Sequence, residues 1–276
     1  MRNNLPKITL LFVIGTIIYS CSLVKRVPEG KQLLANNEII VNEKQVKEER
    51  ISNLVVQQPN SNIGGFPLRL HLYNLAKKNT DSSYQAWLDK KPNRRKNLKN
   101  FLSDKQVERL GHSFFVGGLS NFLKKTGEAP VIIESKKTEI SKERLSGFYY
   151  NNGFLKNEVS VAIDSIGNKK SKITYRVKTG KPYFIDTLSR AIETPALDSL
   201  YTLEENKSFI KKGTQYSYAN FDAERKRITQ QFRNSGVYHF QENYVKFEAI
   251  TDKKKKKMNV VLKIEDRNVK EADTLT

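Results

Sequence analysis

Two stretches of the chain, YYNNGFLKNEVSVAID at residues 149–164 and FRNSGVYHFQENYVKFEAI at residues 232–250, carry one pattern in different letters. Each brings a helical pattern to an asparagine-rich end and a glycine, Asn152-Gly153 and Asn234-Ser235-Gly236. Two further residues follow before an alternating run, Phe154-Leu155 and Val237-Tyr238. A glycine just past a helix end supplies the left-handed backbone that other residues resist. In the first copy, Ile140-Ser141 with Leu145 predicts a serine N-cap with its staple, and Leu145, Phe148 and Tyr149 form the apolar face. Val159, Val161 and Ile163 then alternate with Ser160, Ala162 and Asp164. Gly167-Asn168-Lys169-Lys170 turns the chain, and Ile173, Tyr175 and Val177 alternate back, which is the period of a β-hairpin. In the second copy a helix is predicted from Asp222, with Phe221, Ile228 and Phe232 on its buried side. Val245, Phe247 and Ala249 alternate with Lys246 and Glu248, and Val260, Leu262 and Ile264 return. The five lysines Lys253–Lys257 between these strands read as a solvated hairpin tip, whose charge discourages edge-to-edge pairing.

Working outward, Lys181-Pro182-Tyr183-Phe184-Ile185-Asp186 opens a strand centred on Phe184 and Ile185, and Pro195 starts a helix carrying Leu197, Leu200 and Tyr201. Residues 181–266 thus read strand, helix, helix, strand, strand: a three-stranded sheet under two helices. Residues 31–180 repeat that order with an interruption. Leu33-Leu34 and Ile39-Ile40-Val41 form the opening strand, and Val46, Ile51, Leu54 and Val55 a first helix, but the second helix waits until Ser141. The insertion, about 57–137, holds turn chemistry at Pro59-Asn60 and Gly64-Gly65-Phe66-Pro67. It also holds a strand-like or helical run Leu68–Tyr73, a solvated basic segment Lys90–Lys99 and one further helix within Leu110–Leu123. The fold class is α+β: tandem β-α-α-β-β modules, the first with a long, partly helical insertion.

The front of the chain reads as an export signal. Arg2 and Lys7 precede the apolar run Ile8–Tyr19, too short against the roughly 20 residues of a spanning helix, and Ser20 leads to Cys21. Ile18-Tyr19-Ser20-Cys21 is similar to a bacterial lipobox, so Cys21 is expected to carry lipid after removal of 1–20, with 21–30 as a tether. As the only cysteine it forms no disulfide framework and no thiolate zinc site. The chain has 49 Lys+Arg against 29 Asp+Glu, a net +20, spread along its length. An exported basic protein meets anionic head groups first, so no nucleic-acid partner is expected.

This order of elements resembles the POTRA modules of the outer-membrane assembly superfamily that includes BamA and TamA. GKPYFID at 180–186 is similar to the junction between consecutive modules, and FRNSGVYHF at 232–240 and YYNNGFLKNEV at 149–159 to the helix end before the second strand. CSLVKRVPEGKQLLANNEI from Cys21 and QQPNSNIGGFPLRLHLYNLA from Gln57 resemble TamA-like lipoproteins of Bacteroidota type. The resemblance implies a periplasmic lipoprotein on the inner face of the outer membrane, acting with a membrane β-barrel in cis or trans. Its partners would be unfolded outer-membrane proteins or a TamB-like protein. No run of alternating barrel strands lies between residue 267 and Thr276, a tail or linker. A barrel in a longer protein and a stand-alone module protein both remain open at this point.

No enzyme is expected, and no cofactor or metal. Asp164, Asp186, Asp222 and Glu224 fall in hairpin, junction or cap positions. Gly64-Gly65 and Gly117-Gly118 lack the rest of a phosphate loop, and Ser113 and Ser120 near His112 make no triad by proximity alone. A strand at a sheet edge can instead take an extended polypeptide by completing its backbone ladder. The resemblance implies that this edge is the first strand of each hairpin: Val159, Ser160, Val161, Ala162 and Ile163, and Tyr244, Val245, Lys246 and Phe247. These edges either take client strands or are capped by neighbouring modules. A proline at Ala162 or Lys246 would remove a ladder donor where that N–H faces outward. The rival reading is a basic peripheral envelope protein held electrostatically on anionic lipid or polyanion.

Overall fold

A computed structural model describes residues 23–78, 80–111 and 118–265; residues 1–22, with the expected export signal and Cys21, the segment 112–117 with His112, Ser113 and Gly117, and the tail from 266 lie outside the described residues. The fold is α+β, with two sheets. Strands β1 (Leu33–Val41), β2 (Lys44–Gln45), β3 (Asn157–Gly167) and β4 (Lys170–Thr179) form the first sheet in the order β2-β1-β4-β3. Strands β5 (Phe184–Ile192), β6 (Val245–Asp252) and β7 (Lys257–Ile264) form the second in the order β5-β7-β6. In the second sheet β5 runs parallel to β7, and β6 antiparallel to it. In the first, bonds from Leu33 N to Lys169 O and from Asn42 N to Val177 O advance together along both strands, as in a parallel pair.

The helices are α1 (Glu49–Ser52), α2 (Leu68–Leu75), α3 (Thr80–Asp89), α4 (Pro92–Lys99), α5 (Asp104–Gly111), α6 (Leu119–Thr126), α7 (Ser135–Asn151), α8 (Pro195–Leu203) and α9 (Tyr218–Asn234). By packing, the described residues divide into two compact units. One gathers the residues up to Glu38, Val55–Ser141 and Val161–Tyr175; the other gathers Ile39–Leu54, Lys142–Ser160 and those from Arg176 onward. None of the described helices is long and apolar enough to cross a membrane.

In the second unit, Val245, Met258, Val260, Leu262, Ile264 and Ile185 turn one sheet face toward Tyr201 of α8 and Phe221, Ile228 and Phe232 of α9. Phe232 and Phe240 meet edge-to-face at 4.8 Å. Both long helices end identically. Phe154 N reaches Tyr149 O and Gly153 N reaches Tyr150 O; Val237 N reaches Phe232 O and Gly236 N reaches Arg233 O. The glycines sit at φ +90° and +99°. These are the paired bonds of a Schellman stop, as the repeated sequence pattern implies.

Several expectations are corrected. Ser141 is no N-cap: α7 begins two turns earlier, and the Ser141 hydroxyl, fully buried, donates to Lys137 O at 2.7 Å and accepts from Val56 N at 3.0 Å. Helix α9 starts at Tyr218 behind Ser217, not at Asp222. The first helix of the first copy shrinks to the single turn α1. Phe184 and Ile185 open β5 rather than centre it. Pro59-Asn60 does more than turn the chain, because Asn60 bonds Ala129 O at 2.7 Å and Val131 N at 3.0 Å. Gln57 bonds Ile132 O and Glu134 N in the same way. Two buried amide side chains thereby close the insertion's ends, supplying the partners that buried backbone groups require.

Within the insertion α2 packs against α6. There Gly127 lies so close to Tyr73 N that a Cβ would stand 2.6 Å from it. Helices α3, α4 and α5 form a separate cluster around Tyr84, Leu88 and Val107. Leu23 and Val24 pack with Val27 against Leu70 of α2, and Asn74 donates to Leu23 O at 3.1 Å.

Candidate strand-binding edge

The second sheet ends on β5 at one side and β6 at the other, and the two edges are not equally available. Beside β5 the loop around Gly213–Tyr216 is already bonded: Gly213 N to Ile185 O at 2.7 Å, Ile185 N to Thr214 O at 2.9 Å and Tyr216 N to Tyr183 O at 2.9 Å. Further along, Arg190 is tied to Asp198 at 2.6 Å and Glu205 at 2.9 Å.

The free side of β6 follows from its register. A strand residue sends its N–H and C=O to one side, and its neighbours send theirs to the other. Bonds from Phe184 N to Lys256 O and from Glu193 N to Ile264 O show that the even-numbered residues of β7 face β5. The odd ones, Lys257, Asn259, Val261 and Lys263, therefore face β6, where they pair with Asp252, Ile250, Glu248 and Lys246. The backbone groups of Val245, Phe247, Ala249 and Thr251 are left pointing outward. Val245 O confirms the direction by accepting Arg225 Nε from α9 at 3.2 Å. Past that bond, Phe247, Ala249 and Thr251 present a short ladder on which no other described segment is bonded.

An open groove of about 490 Å³ runs beside this edge, lined by Arg225, Glu242, Asn243 and Val245–Glu248. Its floor is aromatic: Phe247 packs edge-to-face on Phe221 at 5.1 Å, and the Arg225 guanidinium lies 5.4 Å from the Phe247 ring. Its rim is charged, with Lys246 paired to Glu265 at 3.0 Å and Glu248 to Lys263 at 2.7 Å. An extended chain laid along Phe247–Thr251 would find backbone partners and a shallow, partly aromatic wall, so recognition would depend little on its sequence.

The predicted edge residues divide. Val245, Lys246 and Phe247 lie on β6, but Tyr244 belongs to the single 3-10 turn Glu242–Tyr244 before it. Lys246 directs its N–H at β7, so a proline there would break the internal ladder instead of the outer one. Val159, Ser160, Val161, Ala162 and Ile163 lie on β3, at the corresponding end of the first sheet. The alternation expected of them fades along β3: Val159 is buried, but Ile163 is 49% exposed. Cys21 lies outside the described residues. Arg225 was missed, since one arginine in a basic helix carries no sequence signal of the strand it will reach.

The carboxylates serve the scaffold. Lys257 hydrogen-bonds Asp186 at 2.7 Å and holds its carboxyl below the usual range. Glu224, read from sequence as a cap, is buried, accepting Phe209 N at 2.9 Å and pairing with Arg227 at 2.7 Å. Among the described residues no three His, Cys, Asp or Glu gather as metal ligands would.

No protein-family model and no curated protein sequence matches the chain. Among solved structures it is similar to POTRA1-2 of the periplasmic domain of Omp85 from Anabaena, with 8% identity and a TM-score of 0.34, over 87% of this chain and 99% of that one. Haemophilus influenzae BamA POTRA3-5 matches at 15% identity and a TM-score of 0.31, over 87% and 100%. BamA from Haemophilus ducreyi lacking POTRA domains 1-3 matches at 14% identity and a TM-score of 0.33. That match covers 51% of this chain, which spans 25% of the BamA chain's length.

Proposed function

We propose that this chain is a non-enzymatic periplasmic component of outer-membrane protein assembly, and that it holds extended polypeptide by strand addition along β6. On this reading residues 31–180 and 181–266 are two POTRA-like modules. Residues 1–20 are removed, and lipid on Cys21 keeps the protein on the periplasmic face of the outer membrane. Clients are unfolded outer-membrane proteins or a TamB-like partner, and a membrane β-barrel acts in cis or trans. One observation carries the proposal: Phe247, Ala249 and Thr251 offer outward backbone groups beside a groove, while the opposite edge at β5 is already bonded. The order strand, helix, helix, strand, strand in the second half, and in the first once β2 and the insertion's helices α2–α6 are set aside, supports the modular reading.

The register supplies the test. Ala249→Pro deletes an outward N–H and leaves every bond to β7 in place, so the protein should remain folded. Ile250→Pro deletes an inward N–H and should destabilise the sheet. A photo-crosslinker at Asn243 should capture an extended, alternating apolar–polar peptide in the parent chain, and capture should drop at least tenfold in folded Ala249→Pro. Full capture by that variant would sink strand addition on β6.

A further inference from the structure

Helix α4 is polar on every side but one. Of its eight residues Arg94, Arg95, Lys96 and Lys99 are cationic and none is acidic; Lys90 and Lys91 stand just before it, and only Leu98 turns toward the Tyr84, Leu88, Val107 cluster. A helix polar all round gains nothing from tertiary burial beyond that one contact, so its composition needs another explanation. Two large aromatic side chains flank this charge and are left in solvent. Phe101, in the turn between α4 and α5, is 89% exposed; Trp87, on α3, is 47% exposed, with the Arg94 guanidinium 4.6 Å from its ring. Ion pairing takes up little of the charge, since Asp89 and Asp104 meet only Arg95 at 3.5 Å and Lys99 at 2.5 Å.

We propose that the α3–α5 cluster is a docking surface for an anionic bilayer, with Lys90, Lys91, Arg94 and Lys96 over the head groups and Trp87 and Phe101 at the hydrocarbon boundary. Cations alone would suit any polyanion. Exposed Trp and Phe beside them select a lipid interface, where an amphipathic ring gains from sitting at head-group level. Each lysine held near such a surface is worth roughly a fivefold gain in partition. The proposal is independent of strand addition.

Trp87 is the chain's only tryptophan, so its fluorescence reports on this cluster alone. The experiment uses the full chain carrying Cys21→Ser, which cannot be lipidated, with vesicles of phosphatidylcholine alone or with 30% phosphatidylglycerol, each with and without brominated acyl chains. Trp87 emission should shift to the blue and be quenched by brominated lipid only on the anionic vesicles, and 0.5 M salt should reverse both. Lys90→Gln, Lys91→Gln and Lys96→Gln combined should weaken the quenching isotherm by roughly a hundredfold, and Phe101→Ser by a smaller factor. All four residues are exposed, so folding is not at issue. Sedimentation with vesicles without Trp87 quenching would mean that other parts of the chain make the contact, and would overturn the proposal. Equal quenching on neutral vesicles, or binding to soluble polyphosphate with none to anionic vesicles, would also overturn it.

Discussion

Ser141 on α7 and Glu224 on α9 occupy the same place in the two copies, each twelve residues before the glycine that stops its helix. Both are buried, and both accept a backbone N–H from the chain that follows the copy's first helix: Val56 N for Ser141, Phe209 N for Glu224. The position demands an acceptor, because a buried amide left unpaired is costly, but it leaves the chemistry of that acceptor open. One copy uses a hydroxyl that also bonds its own helix. The other uses a carboxylate, which brings Arg227 into the interior with it. The pinned pairs are 85 residues apart in the first copy and 15 in the second. The 70 additional residues therefore enter after the pin and leave the strand–helix frame in the same order.

The strongest way to break this equivalence is to remove the charged pin. Glu224→Ala leaves Arg227, whose side chain is 11% exposed, with only Gln231 at 2.9 Å and the more distant Glu204 at 4.0 Å, and should cost about 3–5 kcal/mol. Glu224→Gln keeps an acceptor for Phe209 N and should recover part of that loss. Urea unfolding followed by amide exchange over residues 209–232 reads both. Ser141→Ala strands only a neutral amide and should cost about 1–3 kcal/mol, read in the other unit by Trp87 emission. If Ser141→Ala proves as damaging as Glu224→Ala, the charge at the second pin adds nothing to the backbone acceptor that both supply.

The two stops sharpen the comparison at smaller scale. Alanine at Gly153 or Gly236 must adopt a left-handed backbone, at about 1–2 kcal/mol each. A Cβ at Gly236 would meet nothing within 4 Å, whereas at Gly153 that atom would stand 2.9 Å from Tyr216 O. Gly153→Ala should therefore lower the unfolding midpoint more than Gly236→Ala in the same urea titration. Equal losses would mean that the Tyr216 carbonyl yields freely.

What could be read in the sequence was what repeats locally. Glycine stops, hairpins and the polar lysine tip follow from backbone geometry over a few residues, and they stand close to where the letters put them, although the alternation fades along β3, Tyr244 stays in the turn before β6 and Lys257 already opens β7. The pins could not be read. Ser141 looks like a cap because a serine before an apolar face usually is one, and nothing local says that α7 starts earlier or that Val56 comes to it from 85 residues away. The outer edge of the second sheet is half legible: the resemblance implies that the first hairpin strand lies outermost, but which N–H groups face out depends on pairing to β7. A proline at Lys246 therefore meets the inner ladder and one at Ala249 the outer. Within the insertion the amides of Gln57 and Asn60 read as loop chemistry, because a buried amide and a turn amide are the same letter.

The smallest expected difference between the units is their response to acid. His71 of α2 is buried against the Phe66 ring, centroids 4.5 Å apart, and burial, then the positive charge of Lys170, lower its pKa. Folded protein thus keeps His71 neutral where unfolded chain, titrating near 6.5, begins to bind a proton. Above about pH 6.5 neither state is protonated and His71 has no effect. As pH falls from there toward the lowered folded value, stability is lost by at most about 1.4 kcal/mol per pH unit. Glu128 sits in the same unit, and there burial raises the carboxyl's pKa but hydrogen bonds from Ser61 and Asn60 outweigh it and hold it low. Its contribution is present above its unfolded value and lost only at lower pH, so a comparison of pH 7.5 with pH 5.5 leaves the carboxylate out, and His71→Phe separates His71 from the other histidines. The Trp87-detected urea midpoint should fall across that interval, and His71→Phe, which keeps a ring against Phe66, should flatten the fall. An unchanged slope in His71→Phe would place the proton elsewhere in the unit.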